Sequence, residues 1–177
     1  RKGLIWYPTY KVNFKGRYEI RNDARIAQDI RFNFILPSKD ATYENVSLTI
    51  GDQLEKLNTT TSHGFRRIIP LEPGASMMME VRYKTRGVGR WTYQLNNKQG
   101  YVSGLNMVLR SNFREIDFIE GSLSPMRLDE TADGLQIIWK ADELITGQNI
   151  GISMPQKLNP GPLAARMSFF APVCLLF

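Results

Sequence analysis

Apolar and polar residues alternate with a period of two along most of the chain. Tyr10, Val12 and Phe14 alternate with Lys11, Asn13 and Lys15; after Gly16, Tyr18 and Ile20 alternate with Arg17, Glu19 and Arg21. Ile30, Phe32 and Phe34 repeat the pattern up to Pro37, and Val46, Leu48 and Ile50 up to Gly51-Asp52. Met77, Met79, Val81 and Tyr83 follow, then Trp91, Tyr93 and Leu95. The second half continues with Leu105, Met107 and Leu109, then Ile116 and Phe118, then Leu135, Ile137 and Trp139, and last Ile150, Ile152 and Met154. Side chains of a strand point alternately to its two faces, so each run predicts a strand with one buried and one wet face. Asn22-Asp23, Pro37-Ser38, Pro73-Gly74, Asn96-Asn97 and Asp133-Gly134 supply turns at the spacing of a sandwich. Sheets wet on one face are antiparallel. Helical periodicity is nearly absent; residues 53–62 allow one helical turn, and Thr59 to Gly64 reads as an exposed loop.

The pattern predicts an all-β antiparallel β-sandwich, with an immunoglobulin-like first module over residues 1–97 and a second β module over 98–165 packed against it. The polar, glycine-ended Asn96-Asn97-Lys98-Gln99-Gly100 places the boundary. Pro73-Gly74 before Ser76–Tyr83 and Thr146-Gly147 before Asn149–Met154 hint at a degenerate internal duplication.

The chain has 177 residues, enough for one large domain or two small ones, and 42% hydrophobic content suits a globular protein. Charge changes the picture little at this stage. Residues 1–100 hold 17 Lys and Arg against 9 Asp and Glu, a surplus of +8, while residues 101–177 hold 6 against 8. A basic first half suits an anionic membrane surface or nucleic acid. The charges are scattered singly along the predicted strands, however, and a solvated surface accounts for them. No Lys/Arg-rich run or aromatic RNA-binding signature is present, so no nucleic-acid partner is expected.

Candidate chemistry is sparse. The single cysteine, Cys174, excludes an internal disulfide or a paired-cysteine site, and the single histidine, His63, excludes two-histidine motifs. Glu115 and Asp117 would share a strand face about 7 Å apart, a separation compatible with glycoside hydrolysis but also ordinary on a wet face. Asp142 and Glu143 form a second acidic pair. Asp129, Glu130 and Asp133 beside Gly134 lack the regular spacing of a calcium loop. Gly121-Ser122-Leu123-Ser124-Pro125 carries no elbow motif, and Gly87-x-Gly89 precedes a strand, so it builds no phosphate cradle. Asn45-Val46-Ser47 and Asn58-Thr59-Thr60 match the short glycosylation pattern. No catalytic, cofactor or metal site is expected. Trp91 and Trp139 fall in the apolar register and read as core, although with Trp6, Tyr83, Tyr93 and Tyr101 they would also furnish a carbohydrate-stacking platform if exposed. Trp6 and Tyr7 suit a membrane-interface belt. Met78 faces away from the register of Met77 and Met79. Trp6, Tyr7, Met78 and Tyr101 are therefore the candidate ligand or partner surface.

The ends suggest a setting. Leu4 to Tyr7 is apolar and aromatic from the outset, as if cut from a longer protein. Pro160-Gly161-Pro162 and Arg166 precede an uncharged run from Met167 to Phe177, which suits the approach to a membrane span, residues 166–177 being its start. The same run would also serve as a last core strand or a buried helix.

Several motifs resemble the β-sandwich region of bacterial multi-pass inner-membrane proteins, loosely CreD-like. They are Val12-x-Phe14-x-Gly16-x-Tyr18-x-Ile20-x-Asn22, Phe32-x-Phe34-x-x-Pro37, Arg86-Gly87-x-Gly89-x-Trp91-x-Tyr93, Ile116-Asp117-Phe118-x-x-Gly121-Ser122-Leu123-Ser124-Pro125, the Lys157–Ala164 stretch and Phe170-Ala171-Pro172-Val173. The resemblance implies a periplasmic domain set between membrane helices and supplies no functional residues. The expectation is a non-catalytic extracytoplasmic domain serving assembly, partner contact or sensing, tied to the membrane by flanking segments and open to a protein partner. The rivals are a carbohydrate or envelope-ligand binding module and a hydrolase using Glu115 and Asp117.

Overall fold

The computed structural model describes residues 8–38, 40–56, 64–95 and 101–155. Among them the chain is all-β, with twelve strands in four antiparallel sheets packed together as a β-sandwich. No helix among the described residues is long and apolar enough to cross a membrane. Trp6, Tyr7, His63 and Cys174, the Asn96–Gly100 boundary and the 166–177 run lie outside the described residues.

The long ribbon of β1 (Thr9–Arg21) and β6 (Ser76–Val88) is the backbone of the N-terminal part. It pairs from Thr9 opposite Val88 to Arg21 opposite Ser76 without a break. Gly16 does not interrupt β1, because the Phe14 and Tyr18 rings close over it. A Cβ there would lie 2.6 Å from Tyr18 Oη and 2.9 Å from the Phe14 ring. β3 (Thr42–Ile50) and β4 (Gln53–Lys56) complete this sheet in the order β1-β6-β3-β4. β4 is therefore a strand where the sequence allowed a helical turn, because the tight turn after Ile50 folds Gln53 back opposite it. A register shift between Glu44 and Ser47 inserts one residue in β3, and Asn45 takes φ +54° there. Asn tolerates the left-handed region better than most residues, and the bulge lets both Tyr43 and Val46 face inward.

β2 (Gln28–Ile35) and β5 (Gly64–Leu71) form a two-stranded layer across this sheet. Phe34, Phe65, Ile69 and Leu71 of the layer meet Leu48, Met79, Val81 and Tyr83 of the larger sheet in one core. Buried Asn22 ties the turns together. Its Nδ2 donates to the carbonyls of Ile26 at 2.9 Å, Leu71 at 2.9 Å and Glu72 at 3.2 Å, and its Oδ1 accepts from Ala24 N at 3.1 Å. The Asn22-Asp23 and Pro73-Gly74 turns are thus one structural unit.

After β6 the chain changes sheets at Gly89, whose φ of +78° a side chain would strain. Gly89 N donates to Pro8 O at 2.8 Å, and Gly89 O accepts from Met154 N at 2.7 Å. β7 (Arg90–Tyr93) pairs with β12 (Ile150–Ser153), which also pairs with the two-residue β9 (Asp117–Phe118). β8 (Tyr101–Ser111), β10 (Arg127–Glu130) and β11 (Leu135–Ile145) form the remaining sheet, with β11 central. Trp139, only 1% exposed, fills the core between these sheets and donates from Nε1 to Leu123 O at 2.9 Å. Tyr10 of β1, Trp91 of β7, and Ile152 and Met154 share a further core that joins the two groups of sheets.

Replacing Asn22 by Ala removes a side-chain donor shared by three carbonyls, and should cost about 2–3 kcal/mol in urea unfolding at pH 7. Asn22→Asp should cost more, since a carboxylate would face those carbonyls. Part of the loss should return as the pH falls and the carboxyl protonates; equal costs for both variants at pH 7 would contradict this account.

Candidate functional site

Two features of the described residues are built well enough to act as a site. The first is a sheet face. In antiparallel pairs, opposed residues share a face, so the β1–β6–β3–β4 register assigns every outward side chain. β1 contributes Lys11, Lys15, Arg17 and Arg21; β6 contributes Arg82, Lys84 and Arg86; β4 contributes Lys56. All are exposed. Only Glu19, Glu44 and Glu80 oppose them on this face. The charges that are scattered in sequence are collected in space.

Glu80 organises the centre. Its carboxylate accepts from Arg17 Nε at 2.8 Å, pairs with Lys15 Nζ at 3.4 Å and also accepts from Arg82. The Arg17 hydrogen bond, with those of Arg82 and Lys15, holds the carboxyl down at about 2. Lys15 and Arg82 are directly opposed, an arrangement that like charges disfavour; the shared carboxylate offsets it. Arg86 pairs with Glu44 at 2.9 Å and Arg21 with Asp23 at 2.8 Å. Lys11, Lys56 and Lys84 make no ion pair among the described residues. Met78 at 51%, Leu54 at 63% and Val88 at 56% exposure add apolar points to the same face.

The second feature is a cleft of about 300 Å³ where β2 approaches the stretch after β7. Tyr18, Ile20, Phe32 and Phe34 wall one side, Tyr93 and Leu95 the other, and among the described residues Arg31 is the only charged one in its lining. Tyr18 and Tyr93 join across it through their hydroxyls at 2.9 Å. Burial, then the neighbouring phenols, push Tyr18 up; burial likewise raises Tyr93. Both stay neutral hydrogen-bonding groups. Phe14 stacks on Tyr83 at 4.7 Å and on Tyr93 at 5.6 Å, so aromatic contacts run through the junction. Burial also raises Tyr83. Tyr83 Oη, Thr85 Oγ1 and Trp91 Nε1 are buried and complete no regular hydrogen bond among the described residues, though Trp91 lies close enough to Tyr83 to ease the upward push on its phenol. The cleft can receive an apolar group, but the described residues of its lining include no carboxylate, histidine or thiol.

Of the candidate surface residues, Met78 lies on the basic face, while Tyr101 opens β8 opposite Ile145 on another sheet, 52% exposed. The fold does not gather them into one site. Trp91 and Trp139 are 2% and 1% exposed and so present no stacking platform. Glu115 lies outside any strand, because β9 spans only Asp117–Phe118; the register that would align the two carboxyls on one face is missing. Both are exposed. Asp142 and Glu143 are consecutive in β11 and so point to opposite faces. Asp129 pairs with Arg127 at 2.8 Å, and no group of three or more metal-ligating side chains occurs among the described residues. The scattered charges of the sequence do not by themselves reveal this face; their signal is the shared strand register of Lys11, Lys15, Arg17 and Arg21 and of Arg82, Lys84 and Arg86.

The fold and face together define an all-β protein with a basic outer sheet face. No family model, curated protein or solved structure matches the chain.

Two outcomes follow. Glu80 titrates lower when folded than when unfolded, so its stabilisation is present above pH 4.5 and lost as the pH falls towards 2. Glu80→Gln should lower stability at pH 7, and its deficit against the parent should shrink over that range in acid-unfolding titrations. Tyr18→Phe and Tyr93→Phe should each cost about 0.5–1.5 kcal/mol, and the double variant about 1 kcal/mol less than their sum. Additive losses in the double-mutant cycle would show that the hydroxyls are not coupled.

Proposed function

We propose that this chain is a non-catalytic extracytoplasmic β domain of a bacterial inner-membrane protein, loosely CreD-like, with an immunoglobulin-like N-terminal module. Its role is contact with a surface or partner, in assembly or sensing. One observation supports this reading above the others: the organised chemistry is spread over an open sheet face, with eight cations against three carboxylates. The acidic pairs considered for hydrolysis stand exposed and unaligned. A surface of this kind binds by complementary charge and area, not by enclosing a substrate.

The location is tested in the full-length protein with Cys174→Ser and a single new thiol, Ser124→Cys, at an exposed position. A maleimide that does not cross the inner membrane should label intact cells as fully as lysed ones. Labelling only after lysis would place the domain in the cytoplasm and end this reading.

A further inference from the structure

We infer that the outer face of the β1–β6–β3–β4 sheet docks on the headgroups of an anionic phospholipid bilayer. The inference rests on the membrane-protein reading above for the nearby bilayer, but on the face itself for the chemistry.

Three observations carry it. The first is sign. Lys11, Lys15, Arg17 and Arg21 hold four of the seven outward positions of β1, and Arg82, Lys84 and Arg86 face outward beside them from β6. The outer faces of the other layers are mixed. Asp29 stands with Arg31 and Arg66 on the β2–β5 layer, and Asp129 and Asp142 stand with Arg110, Arg127 and Lys140 on the β10-β11-β8 sheet, each a surplus of one cation against five on the β1–β6–β3–β4 face. Positive charge is thus concentrated on one side of the molecule.

The second is extent. The thirteen residues of β1 span about 40 Å, and side chains on one face recur about every 7 Å. The cations therefore form a broad array, where a single anion would need a convergent pocket. Long Lys and Arg stems also let the charged heads reach outward from such a surface.

The third is the companion residues. Met78, Leu54 and Val88 are large, apolar and exposed on this same cationic face. Apolar side chains among cations suit the headgroup boundary, where both find a partner. Single-stranded nucleic acid would call for aromatic stacking platforms, and none of the outward residues of β1 or β6 is aromatic.

The centre of the array is neutralised in part by Glu80, so the discriminating residues are Lys11, Lys56 and Lys84, which have no ion pair among the described residues. Each cation near an anionic membrane is worth about fivefold in affinity.

The test uses the 177-residue chain and sedimentation with vesicles of phosphatidylcholine, with and without phosphatidylglycerol. The ratio of the two affinities removes any charge-independent binding by apolar segments. The parent should prefer the anionic vesicles, increasingly so at low salt. K11Q/K56Q/K84Q should lose about a hundredfold of that preference, and R66Q/R114Q/K140Q, with the same change in net charge, should keep most of it. Should the triple variant fold poorly by circular dichroism, single variants should each lose about fivefold. No preference in the parent, or equal loss in both triple variants, would overturn the assignment. So would tighter binding to duplex DNA per phosphate, or displacement from vesicles by polyglutamate at equal charge. Vesicle binding does not depend on which side of a membrane the domain occupies. A cytoplasmic result in the labelling experiment beside normal vesicle binding would sink the location alone, and the reverse result would sink only the face.

Discussion

The uninterrupted pairing of β1 with β6 constrains everything else in this protein. Because neighbouring side chains alternate between faces, one register decides both the core and the surface. With Phe14 opposite Tyr83 and Tyr18 opposite Met79, the aromatic and apolar residues face β2 and β5. The same register necessarily sends Lys11, Lys15, Arg17, Arg82, Lys84 and Arg86 to the other side. A slip of one residue would bury the cations and expose the rings. The hydrophobic core is therefore what holds the cationic array together, even where Lys15 faces Arg82 and Lys11 faces Arg86. Apolar burial along the ribbon outweighs a few like-charge contacts at high dielectric.

Much of this was legible in the residues. Strict alternation marked β1, β2, β6 and β11, and the inward register of Trp91 and Trp139 correctly assigned them to the core. What escaped were strands whose alternation is broken. In β5, Ile68 and Ile69 are adjacent and Pro70 intervenes, a combination that suits a strand in a two-stranded layer but hides its period. β10 and β4 leave nearly every side chain exposed, so no apolar stripe marks them. The bulge at Asn45 shifts the phase of β3, so Tyr43 did not read as an inward partner of Val46.

The basic face illustrates a different limit. Each cation was visible, and so was its position between apolar residues. Which strands lie side by side was not visible, because β1 and β6 are separated by four intervening strands. Alternation reports the face of a strand, whereas a charged surface depends on neighbours, and neighbours depend on topology. Charges that look dilute at one per two residues become dense once two such strands are paired 4.8 Å or so apart.

The junction between the groups of sheets gives that surface a fixed mount. Tyr10 packs with Trp91, Ile152 and Met154, Gly89 bonds to both Pro8 and Met154, and Tyr18 meets Tyr93. These contacts all arise from the inner face of β1 or from the end of the ribbon, so the strand that displays the cations also anchors the C-terminal sheets. Glu80 then sets how the surface behaves alone. By engaging Lys15, Arg17 and Arg82 together, it relieves repulsion at the middle of the ribbon, where the cations are most crowded. Lys11, Lys56 and Lys84 lie off that centre and make no ion pair among the described residues. Around this partly neutralised centre the face keeps cations that are unpaired among the described residues, the division a reversible electrostatic contact would use.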